Sequence, residues 1–559
     1  MVFFFFFFFF FFFFFFFFFF SIYFYEFDMI VLFEWVLYDL NGFTLTLMIL
    51  FDWISLIFMS FVFLISGCVF FYSIGYMCGD KTFVRFFYFL FMFILSMIFF
   101  ILIPDLICLL LGWDGLGVVS YCLVIYYQNS SSMISGLLTV LINRFGDVFL
   151  ILSIGFFFNF GSWHFFLYNY FFDLEMSIFI YLILFTSFTS SAQFPFSFWL
   201  PCAMAAPTPV SSLVHSSTLV TSGIYLLIRF NNYLIYFNTY FLMYISLLTM
   251  FLASFNALLE NDLKKIIAFS TLSQLGFMFF ILSLGCLTLC FIHLLIHAIF
   301  KSLLFLCSGY FIHCFYGNQD IRFMGGLLFQ CPYVSTCFFV SLLCLCGFPF
   351  FSGFYSKDFV LELFYLMEFS NLVFFFFFFS ISLTFMYSIR LIYYLFYCET
   401  FFFSLISFKY SFYMNFSMLF LYFFSLFIGS LLYWLFIDFI FFVEFGFSIL
   451  PLFLMFFSLF MCFNFFKKIF LLSFGYFTYF FSSMFYLNYF SSTFLLKRFF
   501  SFSVVCMNLI DDGWLDYFLT GGLISFLNWI SGLFSSFFFS SFYIYMISFF
   551  IFLIFFILF

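Results

Sequence analysis

This chain is a succession of apolar runs of about twenty residues parted by short polar connectors, the earliest an unbroken stretch of phenylalanine from Phe3 to Phe20. A run of that length spans a bilayer as one helix, because a helix satisfies every peptide group within its own segment. Its repetition predicts an all-α polytopic membrane protein with roughly 14 to 16 transmembrane helices. No ten-residue segments alternate with period two, which argues against a barrel. Only 7% of the 559 residues are charged, against about a quarter in soluble domains. The Phe run has no basic flank and exceeds the roughly 7 to 15 apolar residues of a secretory signal, so it is read as a retained span. Phenylalanine supplies 132 residues; an AT-rich gene gives such a skew where any bulky apolar side chain serves, which points to an organelle genome.

Two segments interrupt the pattern. Four of the eight prolines, Pro195, Pro201, Pro207 and Pro209, precede His215, with Ser211, Ser212, Ser216 and Ser217 beside it as a polar lining. Proline removes a donor and breaks the helical ladder, so at membrane depth the break must be sheltered by protein or water. The second segment runs from Gly347 through Pro349 and Gly353 to Lys357 and Asp358, with Glu362 one turn on. Paired interruptions of this kind signal an inverted-repeat transporter core around an ion path, the alternative being kinks used only for packing.

The few ionisable side chains fall into the apolar runs. Asp114 follows Trp113 amid apolar residues; a carboxylate there is expensive and faces the bundle interior with a partner, unless it anchors a helix end. Arg144 and Asp147 lie three apart and can pair, as a structural ion pair or as part of a relay. His293, His297 and Lys301 recur every four residues and share one helical face. A metal site is weakly supported, since the His pair lacks the intervening Glu and a third ligand. The turn from Glu260 to Lys265 is expected to hold its lysines in water, and His164, Asp173 and Glu175 to lie in a polar loop. The 16 cysteines are scattered, without paired metal spacing, and read as small core hydrophobes. A net charge of −8 spread over this length offers no nucleic-acid face. The acidic, aromatic stretch around Trp514 reads as an interfacial helix.

Taken together, GWDGLG at 112 to 117, NRFGD at 143 to 147, PTPVSSLVHSSTLVTSGIYLLIRF at 207 to 230, NDLKKIIAFSTLSQLG at 261 to 276, HLLIHAIFKSLLFLCSG at 293 to 309, QDIRFMGGL at 319 to 327 and GFPFFSGFYSKD at 347 to 358 resemble the subunit 5 family of mitochondrial NADH:ubiquinone oxidoreductase, respiratory complex I, relatives of Mrp-type cation/proton antiporters. The resemblance implies a distal proton-translocating subunit with two half-channels joined by a hydrated row of charge. In it Asp114 matches a buried carboxylate, His215 a bridge between half-channels, Lys301 with His293 and His297 the central basic group, and Lys357 with Asp358 an exit-side pair followed by Glu362. Arg144, Asp147, Ser190 and Lys265 stand as supporting residues.

The implied domains are N-terminal transmembrane helices at 1–83, antiporter-like repeats at 84–230 and 231–397, C-terminal transmembrane helices at 398–508, a lateral helix at 509–539 and an anchor at 540–559. The resemblance places the chain in the mitochondrial inner membrane beside a neighbouring antiporter-like subunit, accessory subunits and phospholipids such as cardiolipin. It leaves NADH, FMN, iron–sulfur clusters and ubiquinone to partner subunits, with no cofactor in this chain. Ser190 stands where the family has lysine, Ala205 where it has glutamate, and no Lys or Arg lies between Arg144 and Arg229. Asp114 is therefore expected to lack its usual ion-pair partner, leaving the first half-channel weakened or silent, or His215 as its cation. An Mrp-like Na+/H+ antiporter and a scaffold of the membrane arm are the alternative functions.

Overall fold

The computed structural model describes residues 2–40, 43–160, 163–164, 174–231, 234, 239–367, 369–399, 411–437, 443–467, 475–487, 489, 495–538 and 542–558; Asp173 lies outside them. The chain divides into two units, Met1–Phe485 and Tyr486–Phe559.

The first unit opens with α1 (Val2–Glu26), a hairpin of β1 (Val31–Leu40) and β2 (Phe43–Phe51), and the helices α2 (Trp53–Tyr76), α3 (Phe83–Leu102), α4 (Leu106–Val124), α5 (Ser130–Phe157) and α6 (Leu174–Ser190). After a broken segment come α7 (Thr208–Arg229), α8 (Tyr240–Leu259), α9 (Leu263–Ser283) and α10 (Leu287–Cys314). Then α11 (Pro332–Cys346), α12 (Ser352–Leu366), α13 (Asn371–Ile392), α14 (Phe412–Phe436), α15 (Phe445–Lys467) and α16 (Gly475–Ser482) complete the unit.

Among the described residues, 12 helices are long and apolar enough to cross a membrane. Ser177–Ser190, Pro332–Cys346 and Ile544–Leu558 are shorter apolar helices, the second of them ended by Gly347 in a left-handed conformation (φ 78°).

The polyphenylalanine helix shows how a featureless sequence acquires a face. Phe7, Phe10, Phe14 and Phe18 are buried, while Phe5, Phe8, Phe12, Phe16 and Phe19 are exposed. The buried set recurs every three or four residues, the spacing of one helical face, and packs on α2, with Phe10 stacked on Phe70 at 5.6 Å and on Phe63 at 5.5 Å. Where the solvent is hydrocarbon, packing geometry rather than polarity selects the inward side. Helix α10 is the central rod of the unit, buried along its apolar length.

The hairpin pairs Val31 with Phe51 and Leu40 with Phe43 in antiparallel register. It is the departure from an all-helical reading. Where it ends, Asp52 caps α2: its Oδ1 accepts from Ser55 N at 2.9 Å, and Ser55 Oγ accepts from Asp52 N at 3.0 Å. The same carboxylate forms a bidentate pair with Arg229 at the end of α7, whose guanidinium also lies 4.9 Å from the centre of the Tyr225 ring. Burial alone would raise the Asp52 pKa, but the Arg229 charge and the hydrogen bonds from Arg229 and Ser55 bring it below its ordinary value. A depressed carboxylate stabilises the fold above its unfolded pKa, and that contribution is lost as pH falls through the lowered one.

Arg229→Met is expected to destabilise the unit by about 3–5 kcal/mol, because it strands a buried carboxylate. The double change with Asp52→Asn should recover most of that loss, read as Tm in detergent.

In the second unit, helical structure runs from Leu495 to Phe538, with π-helical geometry over Met507–Leu515 and Tyr517–Gly521, and a separate helix spans Phe542–Leu558. The interfacial helix expected at 509–539 thus belongs to a longer run. No residue of Met507–Leu515 is buried.

Candidate functional site

The stripe on α10 forms as its spacing requires. His293, His297 and Lys301 are each 0% exposed, and about 12 Å of helix rise separates the first from the last. Their partners come from other helices. His293 Nδ1 lies 2.8 Å from Ser356 Oγ on α12, and Nε2 lies 3.3 Å from Gln274 Oε1 on α9. With the amide oxygen as acceptor, the ring proton is assigned to Nε2. Lys301 Nζ donates to Ser270 Oγ at 2.5 Å. Among the described residues, neither nitrogen of His297 has a hydrogen-bond partner. Among the described residues no carboxylate forms a salt bridge with Lys301.

At the second break α11 stops at Gly347 and α12 begins at Ser352. Lys357 Nζ donates to the Leu345 carbonyl across the break. It forms no salt bridge with Asp358 among the described residues, since adjacent residues on a helix point to different sides. Asp358 and Glu362 are half-buried, and neither forms a salt bridge among the described residues. Lys357 and Asp358 instead share a cavity of about 420 Å³ with Ser273, Gln274, Cys346 and Thr384.

In the first half the helix reforms at Thr208, relaxes into a π-helical turn over Val214–Thr218 and continues to Arg229. His215 sits in that turn, 1% exposed, with neither ring nitrogen hydrogen-bonded among the described residues and the Trp199 ring 6.2 Å away. The neighbouring serines are not a free polar lining. Ser211 donates to Thr208 O at 2.8 Å, Ser212 to Pro209 O at 2.9 Å, Ser216 to Ser212 O at 2.5 Å and Ser217 to Leu213 O at 2.9 Å. They satisfy carbonyls of a loosened turn, as buried backbone groups require.

Asp114 has a partner after all. Arg144 Nη1 lies 3.2 Å from Asp114 and 3.0 Å from Asp147, whose Oδ1 also accepts from Trp113 Nε1 at 2.8 Å. The Asp114 and Arg144 side chains are 34% and 45% exposed, so the pair faces out of the unit rather than into the bundle. Ser190 is buried and donates to Ser187 O at 3.2 Å.

Lys265 pairs with Asp262 at 2.8 Å at the half-exposed start of α9. Its neighbour Lys264 is buried, against expectation, and caps the Ala206 carbonyl at the first break at 3.0 Å. His164 is likewise buried rather than in an open loop, 2.9 Å from Thr46 Oγ1 of the hairpin.

Sequence reasoning missed Ser270 and Gln274, although they lie four apart within a quoted motif. It also missed Ser356, one residue before Lys357. A polar stripe at helical spacing opposite the α10 stripe was the available signal.

Residues 104–384 match the family described as NADH:quinone oxidoreductase/Mrp antiporter, TM. A chain of the Mrp complex from a Dietzia species superposes with a TM-score of 0.67 at 23% identity, over 77% of this chain and 50% of that one. A chain of the archaeal membrane-bound sulfane sulfur reductase does so with a TM-score of 0.63 at 22% identity, over 71% and 68%. Fold and site thus define the class of antiporter-like membrane subunits.

Residues 35–87 match the complex I chain 5 N-terminus and residues 387–559 the NADH dehydrogenase subunit 5 C-terminus. NADH-ubiquinone oxidoreductase chain 5 of Locusta migratoria is 52% identical over 405 residues, 72% of this chain and 71% of that relative. That of Anopheles gambiae is 51% identical over 380 residues, 67% and 65%. The chain belongs to the NADH-ubiquinone oxidoreductase chain 5 family of complex I.

Proposed function

We propose that this chain moves protons across the mitochondrial inner membrane as the distal antiporter-like subunit of complex I. Electron transfer from NADH to ubiquinone, through FMN and iron–sulfur clusters, takes place in partner subunits and drives it. The supporting observation is the row on α10: three ionisable side chains, fully buried, with no carboxylate bonded to them among the described residues. Packing alone does not call for such groups, because unpaired charge is costly in an apolar interior. Buried polar atoms are satisfied by protein or by water, so the unpartnered nitrogens of His297 and His215 are hydrated sites on the path. Lys301 lies within electrostatic reach of Lys357. His293 extends the row to α9 and α12, Asp358 and Glu362 follow Lys357, and Cys346 lies near both lysines.

The first half is arranged differently. With Ser190 uncharged, the cation beside Asp114 is Arg144. An ion pair a third to a half exposed is not stable against lipid, so we assign the α4–α5 face to the neighbouring antiporter-like subunit. Phospholipids such as cardiolipin cover the exposed phenylalanines elsewhere.

In liposomes holding the complex, Asp114→Ala is expected to lower protons moved per NADH by less than about twofold, below the effect of losing a positioned proton-transfer group. Lys301→Met should remove most of it. Equal losses would mean that the first half conducts with His215 as its cation, and transport that follows a sodium gradient would favour the antiporter reading.

A further inference from the structure

The phenol of Tyr387 is a buried polar group that the row does not use. It lies on α13, 0% exposed, and among the described residues its hydroxyl has no partner in full hydrogen-bonding geometry. Its surroundings are specific: Ser270 and Ser273 of α9 lie within interaction range of that hydroxyl, and Cys346 is within electrostatic reach. Ser270 is the side chain that receives the Lys301 ammonium. Ser273, one turn along the same helix, lines the cavity that also holds Lys357 and Asp358. Both serines donate their own protons to backbone carbonyls, Ser270 to Ile267 O at 2.6 Å and Ser273 to Ser270 O at 3.0 Å, which leaves their lone pairs free to accept. Tyr387 therefore stands between the end of the buried row and the wall of the cavity. Phe350, 85% exposed, marks where that wall meets the outside.

We propose that Tyr387 is a relay residue through which protons pass sideways between Lys301 and this cavity, by way of Ser270 and Ser273. The inference rests on the proton-translocation reading above. A hydroxyl donates and accepts at once, so the transfer needs no charged phenolate at rest. A proton leaves the Lys301 ammonium and passes through the Ser270 hydroxyl to the Tyr387 oxygen. As it arrives, the original Tyr387 proton departs toward Ser273 and the cavity, where Asp358 can receive it. At each hydroxyl one O–H bond forms as another breaks; overall an N–H bond of Lys301 breaks and an O–H bond forms on the Asp358 carboxylate, no electrons are exchanged, and rotation of the three hydroxyls with return of a proton to Lys301 restores the starting arrangement.

The test uses the assembled complex in liposomes, with NADH oxidation and proton movement recorded together. Tyr387→Phe keeps the ring and removes only the hydroxyl. It is expected to slow proton delivery about tenfold or more, toward the 100-fold that a positioned proton-transfer group supplies, with KM for NADH unchanged and an altered solvent deuterium isotope effect. Ser273→Ala should behave alike, and the double variant should be no worse than either single one. A Tyr387→Phe complex that moves protons at the normal rate overturns the proposal. If that variant does not assemble, Ser273→Ala decides: normal delivery overturns the relay and slowed delivery supports it. Lys301→Met in parallel separates the two levels, since normal pumping there sinks the row itself, whereas lost pumping there beside a normal Tyr387→Phe sinks only the relay.

Discussion

Complex carrying Lys301→Met is expected to assemble normally and yet to lose NADH-driven proton movement through this subunit, by about 100-fold or more for the transfer step. The two halves of that expectation have separate causes. Lys301 is wholly enclosed and rests on a hydroxyl rather than on a carboxylate, so its charge gains little from its surroundings. Replacing a buried charge by an apolar side chain of similar length is commonly neutral or stabilising. The native fold therefore retains an ammonium that packing would gladly exchange for a thioether. Native electrophoresis should show the complex at full size, and a pH-sensitive dye inside liposomes should show the deficit. Wild-type dye response in the methionine variant would remove Lys301 from the path.

Gly353→Ala is expected to have the opposite signature, a loss of folded protein. A methyl group at this position would collide with the Cys344 carbonyl oxygen and stand 2.9 Å from its carbon. Both are backbone atoms of α11, which cannot rotate aside as a side chain would. On its other flank the start of α12 is held by Gly429 of α14, whose added methyl would strike the Ser352 backbone. Overpacking of this kind costs about 3 kcal/mol or more when the neighbours cannot yield. Relief would come from sliding α12, which carries Ser356 and Lys357, so any protein that survived should also lose the Ser356 contact with His293. Steady-state amount of the assembled complex and its Tm are the measurements; normal values for both would show that the two helices have slack.

The parts of this fold that were legible in the sequence are those written in local spacing. His293, His297 and Lys301 announce a shared face because four residues make about one helical turn, and Pro207, Pro209, Gly347 and Pro349 announce breaks because each disturbs the ladder locally. Pairings between distant segments were not legible. Arg144 was assigned to Asp147 by its spacing, but its second partner, Asp114, lies 30 residues away on another helix. The absence of a lysine at Ser190 therefore suggested a lone carboxylate where an arginine was waiting. Lys264 and Lys265 are neighbours with the same chemistry, one capping Ala206 inside the protein and the other half-exposed; only the rotation of α9 distinguishes them. The hairpin did have a local sign, Asn41-Gly42 between two apolar stretches, and it was hidden by the general hydrophobicity around it.

Helix α9 touches both interrupted segments. Near its first turn Lys264 grips Ala206; further along, Ser270 and Gln274 hold Lys301 and His293. Arg390 of α13 fastens the turn just ahead of it through Leu258 O at 2.5 Å, Glu260 O at 2.6 Å and Asn261 Oδ1 at 2.7 Å. Close-packed interiors transmit displacement rather than absorb it. A shift of this rod along its axis by even one ångström would therefore disturb the Ala206 peptide group at the first break and the seat of Lys301 within the same movement.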